Sequence, residues 1–146
     1  MRAVVQRVSH ASVSVDGAVT AKIGRGLLVL LGVAREDGPA DAAYIAGKLS
    51  RLRVFEDDGG RMNLSLADTG GKALVVSQFT LLGDTGRGNR PSFTAAASPE
   101  TAEELYLEVA AELERAGIET EAGVFGAMME VELVGDGPVT LILDSR

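Results

Sequence analysis

Residues 26–53 read "GLLVLLGVAREDGPADAAYIAGKLSRLR". From Leu27 to Val33 the side chains are apolar without alternation, broken only by Gly32. A strand with one wet face alternates polar and apolar residues, so a continuous run predicts a strand buried on both faces. The pattern then changes period. Pro39 stands near a first helical position, and Ala42, Ile45, Ala46 and Leu49 fall at i, i+3, i+4 and i+7. That spacing puts them on one face of an amphipathic helix. A doubly buried strand needs cover on both sides, and the helix that follows supplies part of it.

The same signals recur outward from this stretch. Residues 2 to 23 predict two short strands, with Val13 and Val15 alternating before the hairpin dipeptide Asp16-Gly17. Lys72 to Leu82 returns to strand character. A second helix opens at Ser98 as N-cap and Pro99 at N1, with Glu100, Glu103 and Glu104 near the positive end of its dipole. Its buried stripe is Ala102, Leu105, Tyr106, Val109 and Leu113, and Gly117 ends it. Two further strands, "AMMEVELVG" and "PVTLILDS", are expected around a tight hairpin at Gly135 to Thr140. The sum is one α/β domain over residues 1–146, with mixed and antiparallel sheet layers forming a barrel-like core covered by two helices.

Composition narrows the function. The 146 residues hold no Cys and one His, His10, which argues against a disulfide framework and against a zinc site. No apolar run is long enough to cross a bilayer as a helix, and "MRAVVQRVSH" lacks the apolar core of a secretory signal, so a cytoplasmic location is expected. A net charge of −7 argues against an extended grip on nucleic acid, though not against recognition of one short end. Arg51, Arg53, Arg61 and Lys72 read as solvated surface charges.

Three segments can carry chemistry. The first is "SQFTL", where a strand reading points Ser77 and Phe79 one way and Gln78 and Thr80 the other. A hydroxyl nucleophile needs a base within reach, and this segment has none. Backbone N–H groups at the strand end are therefore better catalytic candidates, as oxyanion donors. The second is "GDTGRGNRPSF", whose glycines allow close approach to a ligand and whose Arg87 and Arg90 can hold phosphate or carboxylate. It has no Gly-Lys-Ser/Thr ending and is not a nucleoside-triphosphate loop. The third is "GDGPVT", where the Gly137-Pro138 pair leaves carbonyl oxygens as the principal polar groups, able to accept from an ammonium group.

Four ordered blocks, "MRAVVQRVSHASVSVDG", "GLLVLLGVAREDG", "SQFTLLGDTGRGNRPSF" and "GVFGAMMEVELVGDGPVTLILDS", together resemble the D-aminoacyl-tRNA deacylase (D-tyrosyl-tRNA deacylase) family over essentially the whole chain. The resemblance implies an enzyme that hydrolyses the ester between a D-amino acid and the 3′-terminal adenosine of tRNA, and that also accepts glycyl-tRNA. It implies a cytoplasmic homodimer needing no cofactor and no metal. It places Ser77, Gln78, Phe79 and Thr80 around the catalytic pocket. By the same resemblance Gly137 and Pro138 form a cis bond that enters the partner's site, holds the substrate ammonium and excludes L side chains. Phe125 and Gly126 would help receive the terminal adenosine, with Arg87 and Arg90 nearby on the tRNA end. The chain departs from the family in carrying Gly135 where Asn is usual, which bears on how firmly the Gly-Pro turn is held. Two rival readings stay open: a non-enzymatic module binding RNA ends, and a hydrolase of small D-amino acid esters with Thr80 as nucleophile.

Overall fold

The computed structural model describes residues 1–146. In chain order the elements are β1 (Arg2–Val15), β2 (Ala18–Ile23), β3 (Gly26–Gly32), α1 (Pro39–Arg51), β4 (Phe55–Glu56), β5 (Met62–Leu64), α2 (Leu66–Thr69) and β6 (Lys72–Ser77). A single 3₁₀ turn at Phe79–Leu82 follows, then α3 (Pro99–Arg115), β7 (Thr120–Ala122) and β8 (Glu130–Asp144). The β1–β2 hairpin closes at Asp16 and Gly17, both with positive φ (51° and 78°), the geometry that matches strand twist.

Six strands form one mixed sheet in the order β2-β1-β3-β6-β7, with β8 also on β1. The β3–β6 and β6–β7 pairs are parallel and the rest antiparallel. The sheet curls until β2 meets β6 and β7 and is nearly closed. This explains the unbroken apolar run of β3. Leu27, Val29 and Leu31 join the cluster under the helices, together with Ala73 and Val75 of β6. Leu28 points the other way, into a second cluster inside the curl with Val8, Val13, Ile23, Leu74 and Val76. Each such side chain is 2% exposed or less, and burial of a Leu, Ile or Val contributes roughly 1.5–3 kcal/mol.

The helices begin and end at the residues the sequence marks. Pro39 opens α1, and the Asp41 carboxylate accepts the Gly38 N–H at 2.9 Å. Ser98 Oγ accepts the Thr101 N–H at 3.4 Å to cap α3, whose five expected stripe residues are buried. A third, four-residue helix, α2, is capped by Ser65 and Asp68, and a small separate β4–β5 hairpin precedes it. Neither feature was expected.

Two expectations are corrected. Lys72 to Leu82 is not one strand: β6 stops at Ser77. Gln78 N–H makes the last rung to Leu31 O at 2.8 Å, after which β3 ends and no partner remains. The expected alternation of Ser77 and Phe79 against Gln78 and Thr80 does not apply across the turn. Nor are there two final strands joined by a hairpin. β8 runs on through Gly137-Pro138, because both of its halves pair antiparallel with the 14-residue β1. Gln6 faces Thr140 and Val8 faces Gly135, so residues 136–139 bulge out opposite the single residue Arg7.

Candidate active site

The 3₁₀ turn is held down against β3. A Cβ at Gly32 would lie 3.0 Å from the Gln78 carbonyl oxygen and 3.1 Å from Leu81 Cβ, so glycine favours the close fold-back of the turn. Leu81 N–H donates to Gln78 O at 3.2 Å, and Gly83 N–H to Thr80 O at 3.0 Å. The N–H groups of Phe79 and Thr80 come first in the turn and have no acceptor within it. Gln78 Nε2 donates to Thr80 Oγ1 across the same turn.

Beside the turn lies a cavity of about 790 Å³. Ser77, Gln78 and Phe79 form one wall, Phe125, Gly126, Ala127, Met128 and Met129 another, and Pro99 and Ala102 of α3 a third. Phe93 closes the rim, edge-on to Phe79 with centroids 5.1 Å apart. No Asp, Glu, Lys, Arg or His lines this space, and its only polar side chains are Ser77 and Gln78. Such a surface can bind flat and apolar groups and can present backbone donors. It supplies no titrating side chain.

The expected site residues are thus divided. Ser77, Gln78, Phe79, Phe125 and Gly126 meet around one cavity, and Thr80 is next along the turn. Arg87 and Arg90 are exposed on the adjoining loop, which closes where Asp84 and Ser92 exchange backbone hydrogen bonds at 2.8 and 2.9 Å. Gly137 and Pro138 do not line the cavity. Their peptide bond is cis, Gly137 has φ 129°, and they stand in the β8 bulge against Arg7.

Arg7 and Phe93 are site features that sequence reasoning missed. The Arg7 side chain is buried; its Nη1 donates to Val54 O at 2.6 Å and its Nε to Asp136 O at 3.1 Å. It is the one polar residue of β1 facing the core, and a charge breaking the strand's apolar phase was the only signal available. Phe93 carried no mark beyond being the aromatic that ends a glycine-rich loop. His10 is exposed on β1, opposite Val134 of β8.

Comparison with known proteins places the whole chain in one family. The family model described as D-Tyr-tRNA(Tyr) deacylase matches residues 4–144. The D-aminoacyl-tRNA deacylase of Anaeromyxobacter dehalogenans is 64% identical over 146 residues, covering 100% of this chain and 98% of that one. That of Deinococcus radiodurans is 59% identical over 144 residues, covering 99% of each. Among solved structures, one called c-Myc DNA Unwinding Element Binding Protein superposes with a TM-score of 0.94 at 41% identity, covering 100% of this chain and 99% of that one. A second, described as a probable eukaryotic D-amino acid tRNA deacylase, shares the fold with a TM-score of 0.85 at 15% identity over 97% of each chain. The curled, nearly closed sheet is that of the solved deacylase structures, and the chain is a hydrolase acting on aminoacyl-tRNA. It belongs to the D-Tyr-tRNA(Tyr) deacylase family.

Proposed function

We propose that this chain hydrolyses the ester of D-aminoacyl-tRNA, and of glycyl-tRNA, releasing the free amino acid and tRNA, and that it acts as a cytoplasmic homodimer. Family membership supports the reaction. The observation that carries the mechanism is a cavity with no titratable side chain beside a turn whose first two N–H groups have no partner within it. Water adds to the ester carbonyl, the carbonyl oxygen takes negative charge, and the bond to the ribose 3′-oxygen breaks with a proton passing to that oxygen. A Phe79 or Thr80 N–H aimed at the oxyanion supplies about 100- to 1,000-fold. The substrate's own 2′-hydroxyl assists the water, which removes the need for a protein base.

Chiral selection is assigned to the Gly137 and Pro138 carbonyls of a partner subunit. Two features support a partner: the pair is absent from its own chain's cavity, and β8 leaves one edge unpaired with Val134 and Ile142 exposed on it. With the ammonium held by those carbonyls and the ester carbonyl by the turn, two directions remain at the α-carbon. A D side chain points to solvent, an L side chain into backbone, and glycine meets no clash. Phe125 and Gly126 receive the terminal adenosine, and Arg87 and Arg90 hold phosphates of the acceptor end.

Deacylation of D-Tyr-, L-Tyr-, L-Ala- and Gly-tRNA tests this reading. D-Tyr- and Gly-tRNA should turn over under catalytic amounts of protein while both L substrates persist. Equal rates on L-Ala- and Gly-tRNA would sink the steric account, and binding without turnover would return the chain to an RNA-end module.

A further inference from the structure

The loop from Gly123 to Met129 forms the cavity wall assigned above to the terminal adenosine, and its root is tied down in an unusual way. Gly123 follows β7 directly and donates its N–H to Val75 O of β6 at 2.9 Å. Tyr106 of α3 reaches the same place from the opposite side. Its hydroxyl oxygen lies 3.0 Å from Val75 O and 3.1 Å from Gly123 O, and its ring stands 5.9 Å from that of Phe125. One buried O–H, 1% exposed as a residue, is thus shared between the strand that leads into Ser77 and the loop that carries Phe125 and Gly126.

We infer that Tyr106 is a positioning residue: its hydroxyl locks the root of the Gly123–Met129 loop to β6 and so fixes the distance between the adenosine-receiving wall and Ser77 and Gln78. This rests on the reading of Phe125 and Gly126 given above. Burial pushes the phenol up to about 12, so the hydroxyl keeps its proton and remains a donor throughout the working range. A packing role would need only the ring. A positioning role needs the oxygen, and it acts on how well the adenosine end is held rather than on the chemical step.

Tyr106→Phe keeps the ring and removes the tie. With D-Tyr-tRNA it should raise KM about five- to twentyfold with kcat within roughly twofold. Phe125→Ala should raise KM at least as much, and Tyr44→Phe, at the exposed tyrosine, should change neither constant. An unchanged KM in Tyr106→Phe alongside a raised KM in Phe125→Ala overturns the inference and leaves the adenosine wall standing. An unchanged KM in Phe125→Ala overturns that wall, and the inference with it. A fall in kcat at constant KM in Tyr106→Phe overturns positioning. Should Tyr106→Phe not fold, the wild type decides through the Tyr106 hydroxyl proton seen by NMR: it should exchange slowly with solvent, and exchange as fast as that of the exposed Tyr44 hydroxyl refutes the tie.

Discussion

Arg7 Nε lies 3.2 Å from the Asp136 carboxylate and 3.1 Å from the Asp136 carbonyl, so the guanidinium clasps the residue immediately before Gly137-Pro138. The Arg7 side chain is 7% exposed and that of Asp136 44% exposed, so the pair is anchored from the buried side. Arg7→Met should cost about 3 kcal/mol by stranding the Val54 and Asp136 carbonyls. It should also erode the preference for D over L substrates more than it lowers the rate on D-Tyr-tRNA. Urea unfolding and paired D- and L-Ala-tRNA assays measure the two effects, and a variant with unchanged selectivity would detach Arg7 from chiral choice.

Thr80→Ala should retain substantial deacylation. The Thr80 hydroxyl already accepts from Gln78, and no titratable side chain lines the adjoining cavity to activate it. Mass spectrometry of the enzyme quenched during turnover should show no acylated Thr80. A trapped acyl-Thr80 would make it the nucleophile after all.

Light scattering should give twice the chain mass of 15.2 kDa. Ile142, 65% exposed on β8, is the position where a charge should hurt a partner-covered face and spare an uncovered one. Ile142→Lys is expected to weaken the dimer and to lower activity in proportion to the monomer formed. Full activity in a monomeric variant would exclude a site shared between subunits.

Stability should fall in acid through Asp41. The Arg146 guanidinium, the Ser145 hydroxyl and the Gly38 N–H hold this carboxylate well below the usual range. A depressed folded-state value stabilises the fold fully above the unfolded carboxylate value near 4, and the contribution shrinks from there and is lost as pH falls through the lower folded-state value. Asp41→Asn should therefore cost about 1–3 kcal/mol at neutral pH. The gap from the wild type should narrow progressively below about pH 4. Urea midpoints across that range measure it; a constant gap would mean that charge is not the cause.

The parts of the fold written in local sequence were legible, and those decided by a distant partner were not. Pro39, Ser98, Pro99 and Gly117 mark helix ends by their own conformational preferences, and Leu27 to Val33 announces burial on both faces. The extent of β6 depends instead on where β3 stops, which nothing in "SQFTL" records. Gly135 to Pro138 carries the same turn residues whether it reverses the chain or bulges it, and only the length of β1 chooses between them. Within the site, Ser77, Gln78 and Thr80 stood out as polar residues at a strand end, whereas Phe125 and Gly126 were found through family resemblance alone. Tyr106 was read as one more member of a helix stripe, because a sequence pattern shows the buried ring and not what its oxygen meets.

The pairing of β1 with β8 also sets the order in which the molecule can be made. β1 takes β2 and β3 from the next stretch of chain, but its other edge is reserved for residues 130–144. At about 5–20 residues per second of synthesis, that edge stays open for roughly ten seconds after β1 has left the ribosome. The N–H and C=O groups along that edge, from Arg2 to Ser14, are open to wrong partners for all of that interval, since the loop to be closed is nearly the whole protein. Truncation anywhere before Glu130 would make the opening permanent, leaving a chain with most of its core and an unsatisfied strand edge ready to aggregate.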